Sequence, residues 1–132
     1  MMGVRVAACD STGVILRAPL APNINHRATV FGGSASAVAI LSAWSLLHTR
    51  LVGEGIASRL VIQRNSMSYE LPIDGRFTAR AFLDQAADWP AFTRMLARKG
   101  KARTTASAVL EYGGQVVGRF SGEFVAFGQG TY

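Results

Sequence analysis

The chain has 132 residues, of which 49% are hydrophobic and only 17% are charged. Soluble domains usually carry about a quarter charged residues, and this combination of low charge and many apolar residues excludes a disordered chain. The length suits one domain, residues 1–132, with one core and no second folded unit. We therefore expect extensive buried surface, either within the chain or against another subunit.

The charge balance is basic, with fourteen Lys and Arg against eight Asp and Glu, for a net charge of +6. Such a balance favours polyanionic partners, namely nucleic acids, acidic membranes or phosphorylated small molecules. Most basic residues are isolated and are not interleaved with stacking aromatic residues, so a nucleic-acid-associated domain is only a minor alternative. The one dense basic cluster consists of Arg94, Arg98, Lys99, Lys101 and Arg103.

Cys9 is the only cysteine, which excludes an intrachain disulfide and a cysteine-based metal site. Two histidines and scattered acidic residues give no metal-binding pattern, so we expect neither a metal nor another cofactor. The N-terminal residues lack the apolar core of a signal peptide. The apolar stretch 32–47 is interrupted by serines and is shorter than a membrane span. These features predict a cytoplasmic, soluble protein.

The first part of the chain predicts one or two short strands and then a long helix. Val4–Ala8 and Val14–Ala18 are rich in β-forming residues and are separated by turn residues. Pro19–Phe31 is irregular, because its prolines and asparagines break any period. Gly32 then opens a segment rich in Ala and Leu, which ends near the glycines of positions 53–55, as a helix does.

This helix has apolar or small residues on every side of its first four turns. A helix without a polar face is buried all round. We therefore expect a sheet to wrap the helix and a neighbouring subunit to close its remaining side. Leu41, Trp44 and Leu47 are expected to lie in the core.

The second part predicts an antiparallel meander of four strands, interrupted by a short helix. In Arg59–Leu71 the apolar residues change parity, which predicts a β-bulge between Gln63 and Ser66. Asp88 is suited to cap the short helix and Gly100 to end it. The other predicted elements are a turn at Pro72, Asp74 and Gly75, strands Arg76–Leu83, Lys101–Tyr112 and Gln115–Phe127, and a hairpin turn at Gly113-Gly114.

Four segments carry a family resemblance in addition to this order of elements: Pro19–Gly33, Ser68–Pro72, Gly100–Arg103 and Gly122–Ala126. With them, the chain resembles the hotdog fold, an α+β fold in which a curved antiparallel sheet wraps one long central helix. More narrowly, it is similar to the thioesterase-type domain at the C-terminus of bacterial YiiD-type acetyltransferases.

The resemblance implies a protein that handles thioesters of coenzyme A or of acyl-carrier protein. Coenzyme A would enter only as part of the substrate. Hotdog proteins usually form homodimers whose sheets join edge to edge, and these often pair into homotetramers. Their active sites lie at the dimer interface, which the resemblance implies for this chain as well.

Thioester hydrolysis requires donors for the oxyanion, a group that activates water, and a pocket for the acyl chain. The start of a helix offers free N–H groups, and glycine places no Cβ in the way of a carbonyl oxygen. We expect the amides of Gly32 and Gly33, with Ser34 behind them, to form the oxyanion hole. The alternative is that the two glycines only let a loop pack tightly before the helix.

The preceding loop holds the candidates for water activation. The resemblance assigns the orientation of the water to Asn25, although this residue could instead shape the loop through an Asx-turn. His26 is the candidate base, since an unperturbed imidazole titrates near neutrality, or else a structural hydrogen-bonding residue. Asn23 and Phe31 complete the substrate loop, with Asn23 shaping its backbone.

The chain departs from many relatives at two positions. Ile40 stands where many carry Asp or Glu on the central helix, and Phe31 stands where many carry His directly before Gly-Gly. No acidic residue lies between Asp10 and Glu54. The alternative to a thioesterase is therefore a non-catalytic module that binds acyl-CoA or acyl-carrier protein.

Two further groups are candidates for substrate binding. The hydroxyl groups of Ser66 and Ser68 are expected to reach the pocket. The basic cluster is expected to hold the phosphates of coenzyme A or the acidic surface of a carrier protein, or alternatively to complement a helix dipole. Its substrate-binding members are Arg98, Lys99, Lys101 and Arg103.

Overall fold

The computed structural model describes residues 5–9, 13–18, 32–71, 76–83 and 88–128. These residues form a six-stranded antiparallel sheet of order β1-β2-β4-β5-β6-β3 with two helices packed against it. The elements are β1 (Arg5–Cys9), β2 (Gly13–Ala18), α1 (Gly32–Gly53), β3 (Ser58–Tyr69), β4 (Phe77–Leu83), α2 (Trp89–Lys99), β5 (Lys101–Tyr112) and β6 (Gln115–Gly128).

The predicted order of strands in the sheet is wrong at one strand. Strands β4, β5 and β6 are consecutive neighbours, but β3 pairs with β6 at the far edge, and β2 takes the position beside β4. The reason is that α1 crosses the sheet between β2 and β3, so the chain re-enters the sheet at the opposite side. The turn expected at residues 72–75 lies outside the described residues.

The bulge in β3 is confirmed. Ile62 pairs with Phe124 and Arg64 with Glu123, so Gln63 is the extra residue. Leu60 and Ile62 therefore face the core before the bulge, and Met67 packs against the core after it. One inserted residue is what lets a strand keep its apolar side chains on one face when their parity changes.

The core lies between α1 and one face of the sheet. On β4 the predicted alternation is confirmed, because Phe77, Ala79 and Ala81 are buried and Leu83 packs against the same core. Helix α1 packs against β2, β3, β4, β5 and β6. The fully buried side chains of α1 are those of Val38, Ala39, Ser42, Ala43, Leu46 and Leu47.

Helix α2 begins and ends as its sequence predicts. The Asp88 side chain accepts a hydrogen bond of 3.0 Å from the Ala91 N–H, and Pro90 occupies the first turn. Gly100 ends the helix with a φ of 72°, a left-handed conformation that glycine adopts at little cost. The hairpin between β5 and β6 likewise uses two glycines, Gly113 and Gly114, with φ of 60° and 79°.

A tryptophan attaches α2 to the C-terminal end of α1. The Trp89 indole N–H donates a 2.7 Å hydrogen bond to Glu54 Oε2. The Arg50 guanidinium lies 4.6 Å from the Trp89 ring centroid, and its Nε is 3.7 Å from the same Glu54 oxygen. This contact places α2 beside the end of α1, where Phe92 and Leu96 enter the common core.

We expect Gly122→Ala to destabilise the fold, because Gly122 lies between two aromatic side chains on β6. A Cβ at this position would lie 2.7 Å from Phe120 Cζ and 3.0 Å from Phe124 Cε1. Both rings are buried, so the cost should be about 1–3 kcal/mol, as for other overpacked cores. Urea unfolding measures this difference. Gly53→Ala is the control, since its Cβ would meet nothing within 4 Å. Equal midpoints for the two variants would contradict the prediction.

Candidate thioester site

The N-terminus of α1 is a group of backbone donors to consider for a thioester carbonyl. The helix begins at Gly32 and Gly33, and its first turn contains no acidic residue. The N–H groups of a first turn have no acceptor within the helix, and the helix dipole favours negative charge there. Ser34 belongs to the same turn. The first turn therefore offers N–H donors of the kind that an oxyanion requires.

The loop residues expected to act on water are not among the described residues. Asn23, Asn25, His26 and Phe31 all fall in the gap between positions 18 and 32. Their roles remain predictions from the sequence and its resemblance. The described strand and helix on either side, β2 and α1, are both confirmed elements of the fold.

One side of α1 is not covered by the sheet of its own chain. Ile40 and Trp44 are half-buried, and Leu41 is 37% exposed, so the expectation that Leu41 lies in the core is wrong for the single chain. The Trp44 indole donates a 3.3 Å hydrogen bond to the Leu60 carbonyl and stacks on His48 at 4.6 Å between centroids. These contacts fix the orientation of the Trp44 ring, and the apolar side of α1 that carries Trp44 stays partly exposed.

Ile40 lies on this open side, two turns after Gly33. Its position on the helix places it about 10 Å along the axis from Gly33, at 1.5 Å per residue. The side chain packs against the core cluster while remaining partly exposed. An apolar side chain therefore borders the space where relatives with an acid at this position would present a carboxylate.

The basic cluster lies at the other end of α1. Ser58 follows α1 after a short turn and pairs with Gly128, whose N–H donates to the Gly100 carbonyl at 2.9 Å. The cluster surrounds Gly100, so it lies near the C-terminus of α1. Twenty-two helical residues separate this end from Gly32 by roughly 30 Å. One chain therefore does not bring the basic cluster and the glycine pair together.

Two members of the basic cluster border a groove that sequence reasoning missed. Lys101 and Arg103 line a cavity of about 630 Å³ between α2 and β5, together with Phe92 and Met95. Arg103 Nη1 is 3.7 Å from Glu123 Oε1, across the strands at its rim. This groove forms only where α2 packs against β5. It therefore depends on tertiary packing, which the periodicity of the sequence does not reveal. Arg98 and Lys99 are exposed in the last turn of α2.

The two serines of β3 face away from α1. Met67 packs against the core, and Ser66 and Ser68 on either side of it therefore point to the outer face of the sheet. They line a depression of about 430 Å³ on that face. Within one chain, their hydroxyl groups are thus separated by the sheet from the N-terminus of α1.

Metal sites and membrane spans are two further possibilities for the described part of the chain. Residues 5–9, 13–18, 32–71, 76–83 and 88–128 contain no group of three or more His, Cys, Asp or Glu that could hold a metal ion. One helical segment, Ala35–Gly53, is long and apolar enough by composition to cross a membrane, with a mean hydropathy of 1.3. The burial of α1 against five strands identifies this segment as the core helix.

Comparison with solved structures shows extensive similarity. A protein of unknown function from Chlorobaculum tepidum is 29% identical, with a TM-score of 0.89 over 97% of this chain and 84% of the other. A putative thioesterase from Shewanella oneidensis is 21% identical, with a TM-score of 0.83 over 96% and 85%. A probable thioesterase from Pseudomonas aeruginosa is also 21% identical, with a TM-score of 0.83 over 97% and 85%. The last two show the fold alone.

Comparison of the sequence itself gives two findings. No curated protein matches the chain. The family model described as "Putative thioesterase (yiiD_Cterm)" matches residues 1–128. The expected α+β hotdog architecture, with its antiparallel sheet around one long helix, is confirmed. Because the match spans nearly the whole chain, this protein belongs to the YiiD_C thioesterase family.

Proposed function

We propose that the protein is a cytoplasmic hydrolase of acyl-CoA or acyl-carrier-protein thioesters. The observation that carries the proposal is the start of α1 at two glycines, because first-turn N–H groups have no acceptor within the helix and this first turn contains no acidic residue. Membership of the YiiD_C family supports the reaction class. The open apolar side of α1, with Ile40, Leu41 and Trp44, supplies surface for an acyl chain.

The proposed reaction places the thioester carbonyl oxygen at the amides of Gly32 and Gly33. A water oriented by Asn25 attacks the carbonyl carbon, and His26 accepts its proton. The negative charge that develops on the carbonyl oxygen is stabilised by the helix amides and dipole. When the tetrahedral intermediate collapses, the C–S bond breaks, and the thiolate takes up a proton to leave as a thiol. The acyl group leaves as a carboxylic acid.

In this proposal, the basic cluster that binds the substrate belongs to a neighbouring copy of the chain. Because the cluster lies roughly 30 Å from the glycine pair along α1, one chain cannot apply both to the same thioester. Strand β3 is an edge strand with 12 residues and has a described neighbour on one side only. Pairing of two such edges into a homodimer, and of dimers into a tetramer, would bring cations of one copy towards another copy's helix. The phosphates of coenzyme A, or an acidic carrier surface, are the proposed partners of these cations.

We expect Gly33→Ala to lower thioester hydrolysis without weakening the fold. The added methyl group would stand where the carbonyl oxygen approaches, while Ala is a better helix residue than Gly. A loss of tenfold or more in kcat/KM, with an unchanged or higher Tm, is expected for thiol release from a panel of acyl-CoAs. Gly53→Ala, at the other end of the same helix, should keep full activity. Equal activity of the two variants would remove the oxyanion role of Gly33.

We expect Asn25→Ala and His26→Gln each to lower kcat by about 10²-fold or more, the usual contribution of a group that positions or deprotonates the nucleophile. The same thiol-release assay measures this loss. Asn65→Ala is the matched control for Asn25→Ala, because Asn65 is an exposed residue outside the proposed machinery. Full activity in both loop variants would contradict the proposed water activation.

The alternative function is a module that binds acyl thioesters without cleaving them. Ile40 favours it, because an apolar, half-buried side chain cannot supply the carboxylate that an acid would provide here. Calorimetry with a non-hydrolysable acyl-CoA analogue separates the two functions. Binding with no turnover of any chain length supports the module, whereas turnover that depends on Asn25 supports the hydrolase. Under the module, Ile40→Asp should introduce measurable thiol release, with Ala37→Asp, at another half-buried position of the same helix, as the control.

A further inference from the structure

The groove between α2 and β5 has an apolar floor. Strand β4 pairs with β5 from Ala106 onwards, and α2 packs against β5 beside residues 101–105, where the cavity of about 630 Å³ lies. Phe92 and Val125 line this cavity and are buried, whereas Met95 lines it and is 48% exposed. We call this site the α2–β5 groove. An apolar side chain of a partner can contact Met95 there.

The α2–β5 groove has cations on both rims. On α2, Arg98 lies three residues after Met95 and four after Arg94, so it is a neighbour of both side chains on the helix surface. On β5, Lys101 lines the cavity, and its ammonium group lies 5.7 Å from the Phe127 ring centroid. A cation–π contact of this kind holds the ammonium group at the strand side of the groove.

The cations of the α2 rim are not paired with any described acidic residue. The ion pairs among the described residues are made by four other arginines: Arg50, Arg80, Arg103 and Arg119. Arg94, Arg98 and Lys99 are exposed and belong to none of these pairs. Like charges four residues apart on a helix repel each other, so an anionic partner on this rim is favourable.

The interior of the α2–β5 groove is poorly suited to phosphate groups. The Asp88 carboxylate caps the start of α2 and lines the cavity, so it occupies the helix end that could otherwise bind a phosphate. Arg103 also lines the cavity, but its Nη1 is 3.7 Å from Glu123 Oε1. The cations that remain for a ligand therefore lie along the rims, on either side of an apolar floor.

We propose that the α2–β5 groove docks an acidic helix of the acyl-carrier protein, and that the acyl group is therefore delivered on this protein and not on coenzyme A. The inference rests on the proposed function, which leaves the two carriers open. The partner helix lies along α2, with acidic side chains against Arg94 and Arg98 on one rim and Lys101 on the other. One apolar side chain between them contacts Met95, as in other complexes of an amphipathic helix with a groove. The net charge of +6 attracts an acidic protein before contact.

The first test measures binding of apo-acyl-carrier protein by fluorescence anisotropy. This form lacks the phosphopantetheine arm, so its binding reports the groove and not the thioester site. Arg94→Glu and Arg98→Glu should each weaken binding at least tenfold, and binding to the wild-type chain should weaken as salt is added. Arg76→Glu is the matched control, because it makes the same change of charge at an exposed site beside Tyr112, at the far end of β5. A wild-type chain that does not bind, or folded variants that all bind equally, would overturn the proposal.

The second test compares hydrolysis of one acyl group carried by acyl-carrier protein and by coenzyme A. The ratio of the two KM values, carrier protein over coenzyme A, should rise at least tenfold in Arg94→Glu and stay unchanged in Arg76→Glu. An equal rise of both KM values in Arg94→Glu would assign the cations to phosphate groups and overturn the docking.

The two tests together separate this proposal from the proposed hydrolysis. Turnover of acyl-CoA without binding of apo-acyl-carrier protein would overturn the docking and leave the hydrolase intact. Binding of apo-acyl-carrier protein that depends on Arg94, with turnover of neither thioester, would contradict the hydrolase and support the docking.

Discussion

The burial of α1 against the sheet is the interaction on which the rest of the molecule depends. The helix has only apolar or small residues over its first four turns and no charged one, and its buried side includes Val38, Leu46 and Leu47. An isolated helix of this composition would expose a large apolar surface, so its stability comes from coverage by β2 to β6. The same constraint explains the topology, since a helix that crosses the sheet forces β3 to the far edge.

This burial also determines what each end of α1 can do. At the C-terminal end, Trp89 contacts both Arg50 and Glu54 and closes the core under α2. At the N-terminal end, Gly32 and Gly33 bring backbone amides, and no side chains, to the start of the helix. In the proposed reaction, these amides and the helix dipole stabilise the developing oxyanion.

The sequence predicted the elements better than their arrangement. The caps of α2, the glycine turn before β6 and the bulge at Gln63 follow from local chemistry, and the structure confirms each of them. The position of β3 beside β6 depends on a long-range crossing, which no local pattern contains. The same limit applies to the site. Ser66 and Ser68 can be assigned to a strand from the sequence, but their face depends on the bulge and on which neighbour the strand pairs with.

The serines of β3 illustrate how register changes the meaning of a residue. In the sequence, Ser66, Ser107 and Ser121 are unrelated polar residues in three strands, and only the pairing of β3 and β5 with β6 aligns them. The resulting row of hydroxyl groups lies on the face of the sheet opposite α1. Ile40 and Leu41 present the complementary case, since they are too apolar for a solvated helix face and yet are left open by their own sheet. The low charged fraction of the chain thus includes an apolar side of α1 that its own sheet leaves open, and the proposed function uses this side as surface for an acyl chain.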